Sequence, residues 1–146
     1  MISVAFLLGR LLFGGYFMYS GLNHFLMRKM MVGYTASKGV PAANLAVLGS
    51  GLLILAGGLS ILLGIRPHLG AGLIVIFLLG VTPTMHNFWA VTDPGQRMGD
   101  MINFTKNLAL IGGALMTMGV PWPWLYALGY GERPVAADLA WRRATR

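Results

Sequence analysis

The chain has 146 residues, 56% hydrophobic and 10% charged, against roughly 25% charged in a soluble domain, so an ordinary soluble globule is excluded. The net charge of +7 is spread over connections and tail, which is not the clustered basic face of a nucleic-acid binder. With no cysteine there is no disulfide framework, thiolate metal site or dithiol relay, so any redox role must rest on a bound cofactor or a partner protein.

Four apolar stretches follow one another at residues 4–26, 45–65, 69–91 and 102–120. Each comes close to the roughly 20 residues that carry a helix across a bilayer. The predicted fold is all-α, an integral membrane four-helix up-down bundle over residues 1–120. An interfacial aromatic segment and a basic C-terminal tail make up residues 121–146. The first stretch lacks a basic leader, is too long for a signal-peptide core and carries Arg10, so it reads as a retained helix.

Arg28 and Lys29 end the first span at water, and residues 30–43 are too polar and too short to cross. Met30, Met31, Val32 and Tyr34 suit an element lying at the interface. Gly64-Ile65-Arg66-Pro67 is a tight connection that makes the second and third spans antiparallel neighbours. Within the third span Pro83 frees the carbonyl of Leu79, which in lipid needs another donor, such as Thr82 or a neighbouring helix. Thr92-Asp93-Pro94-Gly95 reads as a turn. Small residues four apart, Ala56, Ser60 and Gly64 and again Ala109, Gly113 and Thr117, predict close helix packing within the chain. Pro121-Trp122-Pro123-Trp124 with Tyr126 and Tyr130 reads as an aromatic belt, and residues 134–143 as a short surface helix with Pro134 in its first turn.

Up-down threading places the end of the first span, the end of the third and the start of the fourth on one membrane face, side B. The termini and the Arg66 turn share side A. Asn23, His24, His86, Asn87, Asn103, Lys106 and Asn107 thereby gather on side B, and polar groups gathered in lipid are a site hypothesis by default. His24 shares a helix face with Arg10, Gly14, Phe17 and Gly21. His86 shares one with Thr82 and Trp89, and Asn107 one with Asn103 and Thr117. Lys106 would lie only about 6 Å inside its span.

The candidate ligand-binding set is His24, His86, Asn87, Trp89, Asn103, Lys106 and Asn107. A quinone headgroup needs hydrogen-bond donors beside aromatic and aliphatic walls, and Phe25, Phe88, Trp89 and Phe104 supply walls. A histidine in such a set can also pass a proton. The plainer alternative is that these side chains bond to loop carbonyls and headgroups. A bis-histidine haem through His24 and His86 is geometrically conceivable, but no further haem signature accompanies the pair. Arg10 reads as a structural intramembrane charge, held by side A headgroups, by carbonyls near the Pro121–Trp124 turn, or by Glu132 or Asp138. His68 is expected to be solvated, and Asp93 and Asp100 to be too exposed for acid–base work. No catalytic triad, phosphate loop or metal-ligand cluster is present in the sequence.

Residues 9–25, GRLLFGGYFMYSGLNHF, resemble the opening helix of DoxX-family membrane proteins. So do Gly39-Val40-Pro41, the stretch 56–64 with its paired glycines, and Met85-His86-Asn87-Phe88-Trp89. The most specific match is Asn103-Phe104-Thr105-Lys106-Asn107-Leu108-Ala109-Leu110-Ile111-Gly112-Gly113. The resemblance covers about residues 4–119 and implies a small four-helix protein of the bacterial inner membrane. The family takes its name from a subunit linked to thiosulfate:quinone oxidoreduction, and related members associate with redox or oxidative-stress complexes. The positions of Arg10, His86, Lys106 and Asn107 match the family pattern. Members often carry a glutamate ahead of the paired glycines, where this chain has apolar Leu52-Leu53-Ile54-Leu55.

Two functional classes follow. One is a redox-associated membrane subunit that holds a quinone and takes electrons from a membrane or periplasmic oxidoreductase. The other is a non-catalytic scaffold or accessory subunit of a larger membrane complex. Loop bases are nearly balanced between the faces, and the terminal Trp-Arg-Arg-Ala-Thr-Arg points to cytoplasmic termini.

Overall fold

A computed structural model describes residues 2–124, 126–128 and 143. All regular structure among them is helical: α1 (Ile2–Leu26), α2 (Arg28–Ser37), α3 (Ala43–Leu63), α4 (Pro67–Met85), a 3-10 turn (Phe88–Ala90) and α5 (Pro94–Met118). Three stretches, Val4–Leu26, Ala43–Leu63 and Pro67–Ala90, are long and apolar enough to cross a membrane. The expected fourth is not among them. α5 is 25 residues long, but Gln96, Arg97, Asp100, Asn103, Lys106 and Asn107 crowd its first half. Its apolar run is left with residues 108–118, about 16 Å of helix.

The boundaries have local causes. α3 stops at Gly64, whose φ of 72° is cheap only for a residue without a Cβ. Arg66 caps α4 with Pro67 in the first turn, where the missing amide hydrogen is no loss. Ser60 Oγ donates to the carbonyls of Ile65 and Arg66 at 2.6 and 3.1 Å, which ties the α3–α4 corner together. α5 begins earlier than the apolar pattern suggests. Asp93 caps it by accepting from the Gln96 amide at 2.7 Å, and Pro94 takes the first helical position.

α1 packs on α3, α3 on α4 and α4 on α5. Each pair is antiparallel: Gly14 meets Leu62 while Gly21 meets Leu55, Gly57 meets Gly70, and Gly72 approaches Met118. The α1–α3 seam has no room for side chains. A Cβ on Gly21 would stand 2.7 Å from the Leu55 amide nitrogen, and one on Gly14 2.8 Å from that of Leu62. Between the helices lies a core of Phe17, Ile54, Ile61, Ala71, Ile74, Leu78, Ala114 and Trp124.

Trp124 corrects the reading of the aromatic segment. It is 4% exposed, its ring meets Phe6 edge-on at 5.1 Å, and Leu128 N donates to the Leu63 carbonyl at 3.0 Å. The segment after Val120 folds back onto the bundle, and only Trp122 and Tyr126 among its described aromatics are exposed. His68, expected to be solvated, is half-buried with Nε2 2.8 Å from the Val120 carbonyl. Arg10 is buried and its Nη2 donates to the Tyr126 carbonyl at 3.1 Å. Thr82 does not supply the donor expected of it, since its buried Oγ1 has no hydrogen-bond partner among the described residues. Tyr130, Glu132, Asp138 and the surface helix at 134–143, apart from Arg143, fall outside the described residues.

Candidate functional site

At side B the last turn of α1, the first half of α3 and the last half of α4 leave a gap, and α2 crosses it. The interfacial segment is therefore an ordered helix. At its start Arg28 Nε donates to Asn44 Oδ1 of α3 at 2.9 Å. Past its end Lys38 Nζ donates to Asp100 Oδ2 of α5 at 2.9 Å. Held at both ends, α2 roofs a cavity of about 800 Å³, within the range of small-molecule sites. Val47, Leu53, Phe77 and Met85 are among the apolar side chains that form most of its wall. Met30, Tyr34, Leu45 and Ile76 line it and are also exposed at the surface, so the cavity opens laterally, on the flank that lipid would cover.

Two histidines line this space. His24 Nδ1 lies 2.8 Å from the Ser20 carbonyl one turn earlier, and its ring meets Phe77 edge-on at 6.1 Å. His86 follows the last residue of α4, its amide still bonded to the Thr82 carbonyl at 3.1 Å. Its Nδ1 is 3.3 Å from Asp100 Oδ1. From the level of Phe77 to His86 is about 13 Å of helix, so His24 sits deeper and His86 nearer the side B face.

Asp100 is the correction of greatest consequence. Expected to be exposed, it is 5% exposed and lies between Lys38 and His86. Burial pushes its carboxyl upward, but hydrogen bonds from Lys38 and His86 outweigh that and hold it below the ordinary carboxylate value. The bond to Asp100 likewise lifts the Lys38 ammonium above the ordinary lysine value. Lys38 also sits 5.7 Å from the centre of the Tyr34 ring. Asp93, the other acid of this region, is the α5 cap.

The remaining sequence candidates do not line the cavity. Trp89 belongs to an aromatic cluster with Phe88 and Phe104, ring centres 5.2 to 5.7 Å apart, which fastens the 3-10 turn to α5. Asn87, Asn103 and Asn107 are half-buried beside it in sequence, and Lys106 is exposed. The fold thus brings His24 and His86 to one space and adds Lys38 and Asp100 behind His86. A signal for Asp100 did exist. Asp93-Pro94 is a cap-and-proline start, and a helix begun there puts Asp100 on the same face as Asn103 and Asn107.

The arrangement can hold a lipid-soluble molecule with a polar headgroup, offering it imidazoles steadied at Nδ1. Fixing one ring nitrogen sets the tautomer and aims the other. A family model, DoxX, matches residues 5–87, more than half of the chain. The match includes His24, Lys38 and His86 and ends before Asp100. No curated protein and no solved structure matches the chain.

Proposed function

The chain belongs to the DoxX family, and from that premise we propose that it is a redox-associated subunit of the bacterial plasma membrane that binds a quinone. The proposal takes α5 from residue 102 onward as the fourth span, with exposed Gln96 and Arg97 and buried Asp100 before it at the side B face, which completes a four-helix up-down bundle. The terminal arginine run supports cytoplasmic termini. Electrons would come from a membrane or periplasmic oxidoreductase partner, because the chain has no cysteine and so no dithiol of its own.

One observation carries the reading: an apolar cavity of about 800 Å³, open on its lipid flank, has His24 and His86 on its wall and a buried Asp100 behind His86. Asp100 ties α2 over the cavity through Lys38 and holds Nδ1 of His86 with its other carboxylate oxygen. In this reading His24 and His86 line the deep and the outer part of the space that the ligand fills, and one of them contacts the headgroup. Asn87, Trp89, Asn103, Lys106 and Asn107 lie outside the wall and do not contact the headgroup.

The test is to extract the protein with its native lipids and measure the quinone that accompanies it. His86→Ala and His24→Ala should each lower the bound quinol at least fivefold, with Lys106→Ala near wild type. A wild-type preparation free of quinone sinks the proposal. A stable partner captured equally by wild type and both histidine variants, again without quinone, would establish the scaffold class instead.

A further inference from the structure

We propose that the side B cavity selects the reduced, dihydroxy form of its ligand over the oxidised dione, because its α1, α3 and α4 walls offer hydrogen-bond acceptors. This inference rests on the quinone reading above and adds a redox preference to it.

The argument concerns where each hydrogen points. The Ser20 carbonyl, 2.8 Å from His24 Nδ1, can only accept, so Nδ1 carries the hydrogen and the neutral ring keeps a lone pair at Nε2. Asp100, paired with Lys38 at 2.9 Å, is a carboxylate and accepts from His86 Nδ1. In the neutral ring Nε2 of His86 is then also an acceptor. The cavity's hydroxyls on α3 and α4 follow the same pattern. Ser50 Oγ donates to the Val47 carbonyl at 3.1 Å, and Thr84 Oγ1 to that of Gly80 at 2.8 Å. A hydroxyl has one hydrogen, so both keep only lone pairs for a ligand.

The donors left to the cavity are the hydroxyls of Tyr34 and Thr35 on α2. A dihydroxybenzene can donate to a histidine and accept from α2 at the same time. A dione can only accept, so toward either histidine it sets lone pair against lone pair. Whichever histidine meets the headgroup, the reduced form is the better partner.

The experiment is anoxic binding of decylubiquinol and decylubiquinone to the full chain in nanodiscs. It is run at one mildly alkaline pH, the same for every variant. The expected result is at least tenfold tighter binding of decylubiquinol. In Asp100→Asn the new amide can donate to His86 Nδ1, which moves the ring hydrogen to Nε2 and brings the ratio toward one. Should that variant fail to fold, His86→Phe serves, with decylubiquinol affinity expected to fall and decylubiquinone affinity to hold. Equal wild-type affinities, or tighter decylubiquinone, overturn the redox preference while leaving the quinone reading intact. Failure of both probes to bind overturns the quinone reading itself. Variants that lower both affinities in proportion contradict the assignment of acceptors.

Discussion

Lys38 Nζ stands 2.9 Å from Asp100 Oδ2 although 62 residues separate them. That contact joins the end of α2 to the second turn of α5, and with His86 on the other carboxylate oxygen it forms a polar corner behind the cavity wall. Both side chains are nearly buried, at 11% and 6% exposed. Removing one partner of such a pair leaves the other charge unpaired, at a cost of about 3 kcal/mol. Lys38→Met should therefore destabilise the protein by roughly that amount, and Asp100→Leu added to it should recover part of the loss. Thermal or denaturant unfolding in mild detergent reads both. Additive losses would mean that the two residues do not act as a pair.

The same corner sets a pH window. The Asp100 carboxyl is lower when folded, so its contribution is present above its unfolded value, about 3.9, and is lost as pH falls through the folded value. The Lys38 ammonium is higher when folded. Its contribution is present below about 10.4 and is lost as pH rises through the folded value. Stability from this pair should be level between these limits and fall beyond either. In Asp100→Asn the acid limb should flatten, which a pH series of melting temperatures would show. An unchanged acid limb would place the sensitivity elsewhere.

The α1–α3 seam predicts a steep contrast between glycines. Gly21→Ala would put a Cβ 2.7 Å from the Leu55 amide nitrogen, and overpacking against backbone costs about 1–3 kcal/mol. Gly15, with nothing within 4 Å of a Cβ, should accept alanine with no loss. Matched unfolding curves for the two variants decide this. Equal stability would mean that α1 and α3 do not pack at this distance.

Thr82 offers a stabilising change. It is 2% exposed, with an Oγ1 that has no partner among the described residues. Thr82→Val keeps the shape and removes the unmet hydroxyl, so a gain of about 1 kcal/mol is expected. A loss of that size would reveal a hydrogen bond made in the membrane-embedded protein.

Much of the helical plan is legible in the residues. The Gly64–Pro67 corner, the apolar runs of α1, α3 and α4, and the placing of His24 and His86 toward one end of the bundle follow from periodicity and threading. What escapes is set by contacts between distant segments. Asp100 looks exposed because hydropathy starts the fourth helix at residue 102, while the Asp93 cap starts it at Pro94. Lys38 looks like a loop base until α2 carries it over to α5. Trp124 reads as a headgroup aromatic from composition alone, yet its ring completes the core beside Phe6. The cavity lies between α2, α3 and α4 because α2 folds over the bundle, and no helical stripe announces that.

The central claim, that a quinone occupies the space beneath α2, is tested most directly by photolabelling with an azidoquinone and mapping the modified peptides. The account predicts labels on α2, on residues 45–53 and on residues 76–86, suppressed by excess unlabelled quinol, with that suppression weakened in His86→Ala. Labels confined to the α5 surface around Lys106, or labelling that unlabelled quinol does not suppress, would contradict it.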